Sequence, residues 1–237
     1  MLKKTLTLPA LVAAMALSAH AELGFEKIPL TITDASGHFF APLTVEGKET
    51  KFLVDSGAGT VAILSTSFAQ SLELPLKDIE GGSALGGAIQ MHTTDVSAFK
   101  VGAFPRLKLS GLQVTDLSKA TVVINGESIP PEGLIGVQFL QMSRAVFDPS
   151  AKVLMIPPHG TAEKAYLETI APESSLILPL LKGGMSMPFI DVEVQGKVLT
   201  FLIDTGAGGN SLLPEFADEL GLEVLSEGGS LGGAGEK

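Results

Sequence analysis

The chain has 237 residues, 45% hydrophobic and 18% charged, a globular composition with length for one large core or two smaller ones. Sixteen Lys and Arg against 26 Asp and Glu leave a net charge of −10, which repels phosphate backbones and anionic lipid surfaces and excludes nucleic acid as a natural partner. No cysteine is present, which excludes a disulfide scaffold, a thiolate metal site, a cysteine nucleophile and a diacylglycerol-anchored lipoprotein; the lack of Trp and the single Tyr166 remove most stacking platforms for bases or sugars.

At the start of the chain, Lys3 and Lys4 precede an apolar run from Leu6 to Leu17 and then Ala19-His20-Ala21. That pattern predicts a signal peptide over residues 1–21, cleaved after Ala21, because the run falls short of the ~20 residues that cross a bilayer. The expected product is periplasmic or secreted, with no membrane attachment once the signal is gone.

Residues 22–156 read as a first lobe. Ile28, Leu30 and Ile32 alternate with polar residues, as do Leu43 and Val45, and a turn at Glu46-Gly47-Lys48 leads into a strand over Phe52 to Val54. Val61 to Leu64 is a further short apolar run, followed by a helical turn or two around Ser67 to Leu72. Short strands are predicted at Leu107-Lys108-Leu109, Leu112 to Val114, Thr121 to Ile124 and Leu134 to Gly136. A short helix near Val137 to Gln141 follows, then a hairpin of Ala145 to Phe147 with Val153 to Ile156 around Asp148-Pro149-Ser150. Many short strands with closely spaced turn signals predict an all-β, barrel-like lobe. Residues 157–175, rich in Pro, Ala and Glu, read as a linker with a short helix around Ala162 to Thr169.

The remainder, 176–237, repeats the first lobe. Gly47-Lys48 through Gly59 recurs as Gly196-Lys197 through Gly208 at one constant offset, Phe68-Ala69 returns as Phe216-Ala217, and the Gly-rich run from Gly81 returns from Gly228. Two copies in tandem are therefore expected. Pro214 and Gly221 bracket the short helix of the second copy. Copy one continues from Asp55 through Leu134-Ile135-Gly136 to Ile156, whereas the chain ends at Lys237, soon after Asp204, so the second lobe is expected to be partial.

The chemistry lies in the repeated turn. Each copy places an Asp, Asp55 and Asp204, directly after three strand-type apolar residues and before hydroxyl-Gly-Ala-Gly. Such a turn holds a carboxylate at a strand end, where backbone N–H groups made accessible by glycine can orient it. If the lobes pack about a pseudo-twofold axis the two carboxylates meet. Two close carboxylates cannot both ionise, so the pair shares a proton. The ionised member can then take a proton from water while the protonated one polarises a peptide carbonyl, which is hydrolysis without a metal, a cofactor or a covalent intermediate.

These motifs resemble the retropepsin-like aspartic proteases, in particular bacterial secreted aspartyl proteases with tandem lobes. The similarity is carried by Val54 to Gly59, Ile203 to Gly208, the glycine-rich Leu85-Gly86-Gly87, Leu134-Ile135-Gly136 with Phe139-Leu140, and the Phe147-Asp148 hairpin. The resemblance implies a catalytic pair of Asp55 and Asp204, with Ser56 and Thr205 hydrogen-bonding across the lobes beneath it. It implies that Gly57 and Gly206 offer carbonyls to the substrate backbone and that Gly86 and Gly87 sit at the tip of a flap. The implied partner is a peptide or protein substrate, with the lobes paired within one chain or in a homodimer. Gly59 and Gly208 stand where retroviral members carry a second acidic residue.

Other readings are weaker. An inactive peptide-binding module on the same fold is the alternative function. A strand ending in Asp before Gly-x-Gly also opens nucleotide sites on α/β folds, but that needs long alternating helices. Gly228-Gly229-Ser230-Leu231-Gly232 matches a nucleophile pattern only by accident, since no Asp and His follow it. His38, His92 and His159 lack ligand spacing and are expected at the surface or beside the flap, and Met185 and Met187 are expected to pack.

Overall fold

The computed structural model describes residues 24–33, 37–84, 87–124, 126–158, 180–182, 187–223 and 225. The predicted signal peptide, Gly86, all but the first two residues of the 157–175 stretch, His159, Met185 and the Gly228–Gly232 run lie outside the described residues.

Alternation of buried and half-buried residues builds the first hairpin: β3 (Phe39–Val45) turns through Glu46 and Gly47, both at positive φ, into β4 (Lys48–Asp55). Two positive φ values in a two-residue loop match the right-handed twist of the strands, which is why Gly stands second. The short strands β1 (Glu26–Pro29) and β2 (Thr31–Ile32) precede it, and β5 (Ala62–Ser65) follows it. The helix α1 (Thr66–Ser71) starts where Ser65 Oγ accepts the Phe68 N–H at 3.1 Å, a side-chain N-cap. A long hairpin of β6 (Lys77–Ala84) and β7 (Gly87–Lys100) comes next, then β8 (Leu107–Thr115) and the small pair β9 (Val122–Ile124) and β10 (Glu127–Ile129).

The strand β11 (Gly133–Gly136) runs into α2 (Val137–Ser143), and β12 (Val146–Asp148) and β13 (Val153–Ile156) form the last hairpin of this lobe. Hydrogen bonding proceeds in the order β3-β4-β11-β5-β8-β7, and β7 pairs back onto β3, so six strands close a barrel with β2 and β6 outside the circuit. Closure leaves no free edge in that ring. A separate sheet, β1-β13-β12, ties the start of the lobe to its end. Phe52, Phe99, Phe139, Leu64, Ile135 and Leu154 are fully enclosed in the core, where Phe52 meets Phe68 edge-on at 5.7 Å.

The second copy repeats the first hairpin. The strand β14 (Leu181–Lys182) pairs with β15 (Pro188–Val194), which turns through Gln195 and Gly196, again both at positive φ, into β16 (Lys197–Leu202). The helix α3 (Pro214–Glu219) follows, with Pro214 in its first turn. Several apolar side chains of this copy, among them Val198, Leu213 and Leu225, are exposed. The architecture is all-β with three short helices among the described residues, in agreement with the sequence expectation.

Candidate active site

Asp55 is the last residue of β4, and the pairing that aims it is the parallel ladder with β11, in which Gly136 lies opposite Asp55. A Cβ on Gly136 would fall 2.1 Å from the Thr60 carbonyl oxygen, so only glycine lets the loop after Asp55 pass this close. The loop is then stitched from behind: Gly136 N–H donates to Val61 O, Val137 N–H to Ala58 O at 2.9 Å and Gln138 N–H to Thr60 O. The Gln138 side chain adds a bond to Gly59 O at 3.0 Å. The Leu-Ile-Gly segment is thus the support of the Asp55 turn.

Within that turn Asp55 Oδ1 accepts the N–H groups of Gly57 (2.9 Å) and Ala58 (3.1 Å). Asp204, two residues after β16, repeats the pattern with Gly206 N–H donating to its Oδ1 at 2.8 Å. The two turns face each other across the lobes. Ser56 N–H donates to Thr205 Oγ1 and Thr205 N–H donates to Ser56 Oγ, both at 3.0 Å. Each hydroxyl passes its own proton on across the seam, Ser56 Oγ to Ile203 O and Thr205 Oγ1 to Val54 O, both at 2.7 Å. Four reciprocal bonds in a largely enclosed setting fix the relative position of the two strand ends. Beneath the hydroxyls lies a mostly apolar inter-lobe hollow with Val137, Leu140, Phe147, Pro188 and Ile203 in its walls.

The glycines after the hydroxyls have a reason the sequence did not suggest. Neither Gly57 nor Gly206 has a positive φ. What excludes a side chain is the opposite lobe: a Cβ on Gly57 would lie 2.6 Å from Asp204 Cγ, and one on Gly206 would lie 2.6 Å from Asp55 Cγ. Each carboxyl group therefore sits against the bare Cα of the other turn. Burial, the charge of Asp204 and a hydrogen bond to Asp204 push the Asp55 carboxyl from its ordinary 3.8 up to about 7, against the opposing pull of the Gly57 and Ala58 donors. Asp55 therefore keeps its proton to about pH 7.

The structure brings together Asp55, Asp204, Ser56, Thr205, Gly57 and Gly206. Gly87 is the first residue of β7, with φ +128, where the β6–β7 hairpin turns back. His38, expected at the surface or beside the flap, is instead buried and reaches across the lobes, its Nε2 at 2.8 Å from Gly206 O. A lone histidine before a strand carries no spacing signal by which sequence reading could have found it. His92 pairs with Asp78 at 2.7 Å on the β6–β7 hairpin. Among the described residues no cluster of His, Asp and Glu has the arrangement of a metal site.

An all-β chain with two matched Asp-hydroxyl-Gly turns interlocked face to face defines a class of protein built around a shared carboxyl pair. Residues 41–139 match the family model described as aspartyl protease, a stretch that contains Asp55 and its support but not Asp204. Among solved structures the chain is similar to a retropepsin-like aspartic protease from Rickettsia conorii, at 19% identity and a TM-score of 0.36, over 56% of this chain and 89% of that one. It is also similar to EIAV protease in complex with the inhibitor HBY-793, at 21% identity and a TM-score of 0.35, over 52% of this chain and 94% of that one. No curated protein matches the chain.

Proposed function

We propose that the protein is a secreted aspartic endopeptidase whose catalytic pair is Asp55 and Asp204. The observation that carries this reading is the interlocked pair of turns, which holds two carboxyl groups in mutual hydrogen bonding and keeps a proton on Asp55 to about pH 7. In the reaction, the ionised member of the pair takes a proton from a water whose oxygen attacks the scissile carbonyl carbon, while the protonated member gives its proton to the carbonyl oxygen. The gem-diol collapses as the carboxyl that took the water's proton gives it to the leaving nitrogen, the C–N bond breaks, and the other carboxylate takes a proton from a gem-diol hydroxyl, which restores the starting protonation of the pair. Ser56 and Thr205 keep the two turns in register. The Gly57 carbonyl faces substrate backbone, the Gly206 carbonyl does so with the lone pair that His38 leaves free, and the β6–β7 hairpin closes over it. The substrate is a peptide or an unfolded protein segment, met outside the cytosol after removal of residues 1–21.

Cleavage of a peptide library between pH 3 and 7, with and without a transition-state-mimic inhibitor and a chelator, tests this. The expected result is inhibitor-sensitive, chelator-insensitive cleavage that persists to near-neutral pH and fades above the range in which Asp55 loses its proton. Asp55→Asn and Asp204→Asn should each remove nearly all turnover and leave the fold intact. Cleavage stopped by chelator and untouched by the inhibitor, or full activity in either Asn variant, refutes the reading.

A further inference from the structure

The two halves of the carboxyl pair are supported differently. Behind Asp55, the β11–α2 junction contributes backbone N–H donors to Ala58 and Thr60 and a Gln138 side chain to Gly59. Among the described residues no segment of the second copy does this for the Asp204 turn, whose internal bonds are Gly206 N–H to Asp204 Oδ1 and a longer Ala207 N–H to Asp204 O at 3.3 Å. What reaches that turn is a side chain of the first lobe. His38 Nε2 lies 2.8 Å from Gly206 O, and because a carbonyl only accepts, Nε2 carries the proton and donates.

His38 is placed to exert force there. It is buried, and it closes a short loop between β2 and β3 in which His38 N–H donates to Thr33 Oγ1 and Thr33 N–H donates to His38 O, both at 3.0 Å. Gly37, at φ +68, permits the turn. The imidazole is thus anchored in lobe one and bonded to lobe two, on the residue whose N–H orients Asp204. The offset that carries Asp55 onto Asp204 carries His38 onto Met187, which has no donor to offer, and among the described residues the Gly57 carbonyl has no matching bond. The asymmetry runs through the site: one turn is supported by its own lobe, the other by its neighbour.

We propose that His38 is a positioning residue that braces the Asp204 turn from the opposite lobe, in place of the support that the β11–α2 junction gives Asp55. The proposal rests on the peptidase reading for its kinetic consequence and on geometry alone for its structural one. A brace of this kind acts on the orientation of Asp204 rather than on substrate contact, so its removal lowers kcat more than it raises KM.

The test uses the full chain with two replacements. His38→Met installs the apolar residue of the second copy, and His38→Gln retains a side-chain N–H at comparable reach. Loss of one neutral hydrogen bond predicts about a tenfold fall in kcat for His38→Met with KM changed by less than about twofold, and recovery of most of that loss in His38→Gln. In parallel, hydrogen–deuterium exchange of the Asp204–Gly208 amides should accelerate in His38→Met, return towards wild type in His38→Gln, and leave the Asp55 turn unchanged. Exchange at Asp204–Gly208 in His38→Met equal to wild type overturns the brace, as does a His38→Gln variant that behaves like His38→Met. A wild-type chain that cleaves no peptide overturns the peptidase reading instead, and the exchange measurement still decides the brace.

Discussion

The proton on Asp55 makes the stability of the protein depend on pH in a direction opposite to that of an ordinary salt-bridged carboxylate. Folded, Asp55 keeps its proton to about pH 7; unfolded, it releases it near 3.8. Between these values the folded state binds the extra proton, so stability falls as pH rises through the window and levels off above it. The difference of roughly 3 units corresponds to about 4 kcal/mol at full value, and to about 2 kcal/mol once the remaining solvent contact of a half-buried pair is allowed for. Asp55→Asn removes the titrating group while its amide oxygen still accepts from Gly57 and Ala58. Urea unfolding followed by circular dichroism from pH 4 to pH 8 should therefore find the two proteins close in stability at pH 4 and the Asn variant more stable by about 2–4 kcal/mol at pH 8. In melting temperature that is about 5–15 °C for a chain of this size. Stability curves that stay parallel across the range refute the claim that Asp55 holds a proton in the folded state.

Two further outcomes are expected. Thr94, buried on β7, has a hydroxyl with no hydrogen-bond partner among the described residues, so Thr94→Val should raise stability by about 1 kcal/mol, read as a higher urea midpoint with unchanged slope. Gly206→Ala places a methyl group 2.6 Å from Asp55 Cγ, so the turns must separate; turnover should vanish while the amides of the closed barrel keep their exchange protection.

The pair of Asp turns was legible because the chain writes the motif twice, and the offset alone aligned Asp55 with Asp204, Gly47 with Gly196 and one hairpin with the other. Ser56 and Thr205 were legible only through resemblance, since a hydroxyl after an Asp says nothing about the strand end it will meet. The strand β7 escaped detection for a physical reason. Its buried residues are Met91, Thr94, Val96 and Phe99, and the register shifts between Thr94 and Val96 and again between Val96 and Phe99. Such irregularities break the two-residue period by which a strand is read. Glycine in sequence suggests freedom in φ, whereas at 57 and 206, neither at positive φ, it marks the close approach of the opposite Asp.

Two copies of one motif do not sit in two equal settings. Asp55 has two backbone donors on Oδ1 where Asp204 has the single Gly206 donor, and those two bonds by themselves favour its ionised form. It instead holds its proton to about pH 7, so burial and the neighbouring charge outweigh both donors. The cause of that burial lies outside the motif. Asp55 ends a strand in the middle of a closed barrel with β11 alongside it, whereas among the described residues β16, which leads to Asp204, pairs only with β15. The same sequence of Asp, hydroxyl and glycine thus ends a strand of a closed barrel in one copy and follows a hairpin strand in the other, and what raises Asp55 is its burial there together with the Asp204 carboxyl facing it. Transplanting the motif without the barrel would carry over the geometry of the turn and lose the burial that holds the Asp55 proton, and with it the shared proton on which general acid–base catalysis by such a pair depends.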